Sequence, residues 1–228
     1  MPRRLHDRID AGQQLAAQLT AYAHRTDVDH PDVRADAIVL ALPRGGVPVA
    51  YEVAHALQLP LDICIVRKLG VPKQRELAMG AIAPGGIQIF NHRIIDRLGI
   101  SERAISQVIA VEQAELQRRE QAYRGNRLPL DIRDCTVILV DDGIATGSTM
   151  RAAIAVLRSQ HPQEIVVAVP VAPSSVCQAL QTSVDRLVCL MTPEPFHAIA
   201  LWYEQFPQTT DREVQELLAK QQRFVSVE

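Results

Sequence analysis

Short, uninterrupted apolar runs alternate along this chain with segments whose apolar residues recur every three or four positions. The runs Ala37–Leu42, Leu61–Val66, Thr136–Val140, Ile165–Val169 and Leu187–Met191 are too short for helices and rich in Val, Ile and Leu, so they predict buried strands. Helical spacing predicts helices over Ala11–Ala23, with Asp10 as N-cap, and over Val47–Leu57, Ser148–Ser159 and Pro173–Leu180. Another starts near Asp211 and uses Val214, Leu217 and Leu218. Ser101 is placed to cap a long helix over residues 101–124, with Ile100 and Ile105 as a hydrophobic staple and Glu115 four residues before Arg119. Gly125-Asn126 ends it, and the polar stretch Asp27–Asp36 predicts a loop. Strand, glycine turn, helix and strand in succession is the pattern of a parallel sheet. The chain therefore predicts one doubly wound α/β domain with a mainly parallel sheet over residues 1–228.

Two stretches break the alternation. Arg67–Leu77 is basic and contains Gly70 and Pro72, which predicts an exposed, flexible loop. The segments Ala78–Ala83 and Ile87–Asn91 flank Pro84-Gly85-Gly86 and predict a hairpin, so residues 67–91 form an insertion. After Thr192 the pattern fails again, with Pro193, Pro195 and Pro207 spaced by Phe196, Trp202, Tyr203 and Phe206.

Composition narrows the classes little. The chain has 228 residues, 47% hydrophobic and 22% charged, with a net charge of −2. The pI of about 6.4 provides no general pull toward nucleic acid. Cys64, Cys135, Cys177 and Cys189 form no Cys-x-x-Cys pair, so they read as buried thiols in a reducing compartment rather than zinc ligands or disulfides. No run approaches the ~20 apolar residues of a membrane span, and the N-terminus is charged with no apolar segment behind it. A cytoplasmic location without membrane contact is expected.

The chemistry concentrates in Val137–Thr149, Val-Ile-Leu-Val-Asp-Asp-Gly-Ile-Ala-Thr-Gly-Ser-Thr. A buried strand delivers Asp141 and Asp142 to its C-terminal end, the edge where open α/β sheets bind ligands. The chain then turns at Gly143 and Gly147 and enters a helix at Ser148. Backbone N–H groups at a helix start favour an anion, and the Thr146, Ser148 and Thr149 hydroxyls add donors. Carboxylates cannot hold a phosphate but do accept hydrogen bonds from vicinal hydroxyls. The unit describes a sugar phosphate. The ending Gly-Lys-Ser/Thr of a P-loop is missing. Pro43-Arg44-Gly45-Gly46 also follows a strand and precedes a helix; its glycines allow close approach and its arginine suits phosphate. The third cluster is Lys68, Lys73 and Arg75 in the basic stretch, suited to a lid over a polyanion.

Val137–Thr149 resembles the 5-phosphoribosyl-1-pyrophosphate (PRPP) signature of the type I phosphoribosyltransferases. The resemblance implies that Asp141 and Asp142 take the ribose hydroxyls, and that Gly143, Ala145, Thr146, Gly147, Ser148 and Thr149 shape the 5-phosphate site. It also implies that Arg44, Gly45 and Gly46 bind pyrophosphate and that Lys68, Lys73 and Arg75 are catalytic-loop candidates. Residues 192–228 would form a hood and a last helix, with Phe196, Trp202 and Tyr203 as base-stacking candidates or as a small hydrophobic plug beneath the hood. Most of the chain, including Asp7-Arg8, Ala11-Gly12 and the tail Phe196–Phe206, is similar to a subgroup described only as predicted phosphoribosyltransferases.

The implied reaction displaces pyrophosphate from ribose C1 by a nitrogenous base. The implied cofactor is Mg²⁺, carried mainly on PRPP oxygens with Asp141 and Asp142 nearby. Family members acting on 6-oxopurines carry aspartate where this chain has Ala145, which argues against such an acceptor. A PRPP-sensing regulator of the same fold is the alternative. A metal-dependent hydrolase is a third reading, for which further ligands are not apparent. Assembly into a homo-oligomer stays open.

Overall fold

The computed structural model describes residues 4–23, 37–125 and 127–225. The loop expected at Asp27–Asp36, and Asn126 at the helix end, lie outside the described residues. In chain order the elements begin with α1 (Arg8–Gln18), β1 (Ala37–Ala41), α2 (Gly46–Leu57) and β2 (Leu61–Ile63). An insertion follows, comprising β3 (Arg67–Val71), β4 (Gln74–Ala83), β5 (Ile87–Phe90), α3 (His92–Leu98) and α4 (Glu102–Tyr123). The main fold resumes with β6 (Thr136–Val140), α5 (Ser148–Arg158), β7 (Glu164–Val171), α6 (Ser174–Gln181) and β8 (Arg186–Met191), and α7 (Asp211–Val225) closes it.

The sheet order is β2-β1-β6-β7-β8, with every pairing parallel. Beyond the first residues of β6 and β7, the central strands are apolar because both faces are covered. Val39, Ala41, Ile138, Val140, Val166 and Ala168 pack on one face against α1, α2, α4 and α7. Ile38, Leu40, Val137, Leu139, Ile165 and Val167 pack on the other against α5 and α6. Successive strand residues point to opposite faces, so each strand feeds both cores.

The basic stretch expected to be a flexible loop is an antiparallel hairpin. β3 pairs with β4, and β4 with β5, in a separate three-stranded sheet. Leu69, Val71 and Met79 are buried, and their burial overrides the loop chemistry of Gly70 and Pro72. Gly70 is accommodated by a shift of register, and Lys73 takes φ 67 in the turn. The hairpin expected across Pro84-Gly85-Gly86 forms as β4–β5.

Other boundaries move. Asp7, not Asp10, caps α1, its carboxylate accepting from the Asp10 N–H at 2.9 Å. The helix stops at Gln18, and a 3₁₀ turn follows at Thr20–Tyr22. The second strand ends at Ile63 rather than Val66. Ser101 caps α4 by accepting from the Ala104 N–H, and Glu115 pairs with Arg119 at 2.7 Å. The short helix α3, capped by Asn91, was not expected from the spacing. Among the described residues no helix is long and apolar enough to cross a membrane.

Two contacts hold the frame around the sheet. Arg124, at the end of α4, donates to Asp62 and to the Ile63 carbonyl at 3.0 Å each, a buried link between the insertion and edge strand β2. Gly12 brings α1 onto α2, since a Cβ there would stand 2.6 Å from both the Glu52 Cβ and the Val49 carbonyl. Replacing Gly12 by Ala is expected to lower stability by about 1–3 kcal/mol, measured by urea unfolding. Arg124→Met strands the Asp62 carboxylate and is expected to cost about 3–5 kcal/mol. An unchanged midpoint in either variant would show that the contact does not hold the fold.

Candidate functional site

Two βα turns meet at the C-terminal edge of the sheet. The Leu42 N–H donates to the Val140 carbonyl at 2.9 Å, which places Pro43–Gly45 beside Asp141 and Asp142. The contact leaves no room for side chains. A Cβ on Gly45 would lie 2.0 Å from Asp142 Oδ2, and one on Gly46 would lie 2.8 Å from the Val140 carbonyl. The two glycines are therefore dictated by the acidic strand end as well as by any ligand. The Pro43–Arg44 peptide is cis.

The second turn is the segment expected to hold a phosphate. Gly143 lies against Ile199 and Val171, where a Cβ would stand 2.7 Å from Ile199 Cγ2. The Ile144 N–H donates to the Val171 carbonyl at 2.9 Å, which anchors the turn to β7. Gly147 takes φ 73, a left-handed conformation that glycine adopts without penalty, and leads directly into α5. Ala145, Thr146 and Thr149 are exposed, and Ser148 is half-buried. Thr146 and Ser148 share a hydrogen bond at 3.1 Å between their hydroxyls. Arg151 donates to the Thr146 carbonyl at 2.6 Å, adding a cation over the turn that the sequence pattern did not single out.

Asp141 and Asp142 differ in surroundings. The Asp141 carboxylate accepts from the Asp142 N–H at 2.9 Å. Burial, then the negative charge of Asp142 beside it, holds the Asp141 carboxyl well above the ordinary range. Asp142 is buried, and Arg8 from α1 donates to its Oδ2 through Nε at 2.9 Å and Nη2 at 2.7 Å. The Tyr203 hydroxyl donates to the Asp142 carbonyl at 2.7 Å. Arg8 and Tyr203 lie far from Asp142 in sequence, so no local pattern reveals these contacts.

An open cavity of about 830 Å³ joins the pieces. Arg44, Gly45, Asp141, Asp142 and Thr149 line it from the sheet edge, and Lys68 and Lys73 from the β3–β4 hairpin. The hairpin and α4 therefore wall the cavity in place of the expected flexible loop. Gln107, Val108, Val111 and Arg119 reach it from α4, a contribution the sequence pattern did not show. Arg67 is bound to Glu112 at 2.7 Å, tying the hairpin to α4 at the cavity wall. Arg75 lies on β4, and its side chain is outside the described ones. On the rim, Arg44 reaches Asp211 at 3.5 Å. Asp211 accepts from Tyr123 at 2.6 Å; that bond, with the Arg44 charge, holds its carboxyl below the ordinary range.

The aromatic segment packs toward the core, as the plug reading expects. Phe196, Trp202 and Tyr203 are not among the described residues lining the cavity. Tyr203 is 3% exposed, and burial pushes its phenol pKa up. Its ring packs against Phe206, with centroids 4.8 Å apart, and cannot offer a face to a base. Phe196 and Trp202 pack on the core, and the buried Trp202 Nε1 finds no hydrogen-bond partner among the described residues. The segment buttresses Asp142 and Gly143 from below, because its apolar rings gain more from the core than from an open cavity.

Comparisons with known proteins place the chain in a family. The family model described as "Phosphoribosyl transferase domain" matches residues 5–195. The chain is 41% identical over 217 residues to a Mycobacterium tuberculosis protein of strain H37Rv, Rv0571c, whose name gives it provisional status as a phosphoribosyl transferase. That match covers 95% of this chain and 47% of the relative, so the chain spans about half the length of the curated relatives it matches. The crystal structure of TT1426 from Thermus thermophilus superposes with a TM-score of 0.84 at 34% identity, covering 95% of this chain and 98% of that one. These matches show that the chain belongs to the phosphoribosyl transferase domain family.

Proposed function

We propose that this chain binds PRPP in the 830 Å³ cavity and transfers its phosphoribosyl group to a small nitrogenous acceptor. The observation that carries the reading is the meeting of three surfaces around one cavity. They are the acidic pair, the start of α5, which reaches the cavity through Thr149, and the Arg44 turn with the Lys68 and Lys73 hairpin. PRPP carries matching groups: vicinal hydroxyls, a 5-phosphate and a pyrophosphate. Ala145–Thr149 holds the 5-phosphate at the positive end of α5. Arg44, Lys68 and Lys73 neutralise the pyrophosphate as its bond to C1 breaks and the new C–N bond forms. The cavity walls hold the acceptor nitrogen in line with C1.

Mg²⁺ fits the donor chemistry. The ion would be carried mainly on PRPP oxygens and would keep most of its waters, to which the Asp141 carboxylate at the cavity wall, and any Asp142 oxygen left free by Arg8, would accept hydrogen bonds. When bound it neutralises pyrophosphate charge.

Isothermal titration with PRPP and Mg²⁺ tests the reading directly. Asp141→Asn and Asp142→Asn are each expected to weaken binding about tenfold or more. Wild-type protein that gives no binding heat with PRPP would overturn the proposal. Pyrophosphate release across a panel of nucleobases tests transfer. Turnover that is highest with hypoxanthine or guanine would contradict the reading of Ala145. Chelation of Mg²⁺ is expected to reduce PRPP affinity, and an unchanged isotherm would remove the metal from the proposal.

A further inference from the structure

We infer that Arg8 is a positioning residue that divides the acidic pair, locking Asp142 as a support and leaving Asp141 as the principal acceptor for the ribose hydroxyls. The inference rests on the PRPP reading. Arg8 directs Nε and Nη2 to one oxygen, Asp142 Oδ2, at 2.9 and 2.7 Å. An oxygen taking two charge-assisted hydrogen bonds has little capacity left for a ligand hydroxyl. The same oxygen faces Gly45, where even a Cβ would have no space. Asp142 Oδ2 is thus enclosed by protein.

Arg8 is itself held from other sides. Its Nη1 donates to the Pro207 carbonyl at 2.6 Å, and its guanidinium lies 3.8 Å from the Phe206 ring centroid. Tyr203 grips the Asp142 carbonyl. Side chain and backbone of Asp142 are therefore fixed together, one by α1 and the other by the C-terminal segment. Arg8 is not among the described residues lining the cavity, so it acts through Asp142. Its charge also allows two adjacent carboxylates to stand at the strand end without expelling each other.

Asp141 differs from Asp142 in its partner. Both border the cavity, but the Asp141 carboxylate accepts a hydrogen bond from its neighbour's backbone rather than from a guanidinium. The two acids of the motif are thus equivalent in sequence but not in role.

A double-mutant cycle in PRPP affinity tests the division, with folding of each variant checked by circular dichroism and thermal melting. Arg8→Met and Asp142→Asn should each weaken PRPP binding about tenfold or more, and the double variant no further than the weaker single one. Inorganic pyrophosphate with Mg²⁺, which lacks the ribose, should bind Arg8→Met as tightly as wild type. If Arg8→Met does not fold, Arg8→Lys takes its place, since an ammonium cannot present the same planar fork. Additive losses would mean that Arg8 touches the ligand and would overturn the inference. Equal losses for PRPP and pyrophosphate would mean general damage and would overturn it too, as would unchanged PRPP affinity. Wild-type protein that fails to bind PRPP sinks the functional reading instead, a result distinguishable from these.

Discussion

The site depends on a steric constraint: two βα turns must touch at the edge of a parallel sheet. The Leu42 N–H to Val140 carbonyl bond brings them together, and only glycine fits at positions 45 and 46 against the acidic pair. Once that contact exists, the cationic Arg44 turn, two carboxylates and an open helix N-terminus share one cavity wall. A parallel sheet supplies this geometry because all its strands end on the same side.

Electrostatics then demands compensation. Two adjacent carboxylates at a buried strand end repel each other and lose hydration. The fold answers by bringing α1 and the segment before α7 to the same point, so that Arg8 meets Asp142 between Phe206 and Pro207. The N-terminal helix and the C-terminal segment are thus part of the site's support although neither carries its motif. The Leu5–Tyr203 bridge ties the same two segments together a few residues away.

The insertion between β2 and β6 gives the cavity its far wall. Its hairpin places Lys68 on β3 and Lys73 in the β3–β4 turn, and α4 adds an apolar and amide surface through Val108, Val111 and Gln107. Arg124 on Asp62 and Arg67 on Glu112 fix this module to the edge of the main sheet and to itself. The cavity is therefore a junction between two independently hydrogen-bonded sheets.

Local patterns by themselves determined the parallel α/β fold, the acidic pair, the Gly147 turn and the Arg44-Gly45-Gly46 turn. Each is written in contiguous residues, where apolar runs, caps and glycines act at short range. Tertiary structure decided the rest. Gly70 and Pro72 signal a loop locally, but Leu69, Val71 and Met79 gain enough burial to make a hairpin. Phe196, Trp202 and Tyr203 are spaced as a base-stacking set or a plug, and in the fold Tyr203 is buried while Phe196 and Trp202 pack partly against the core. The separation of Asp141 from Asp142 needed a partner 134 residues away. Spacing along a chain cannot reveal such a contact, because it exists only once the sheet and both termini have come together.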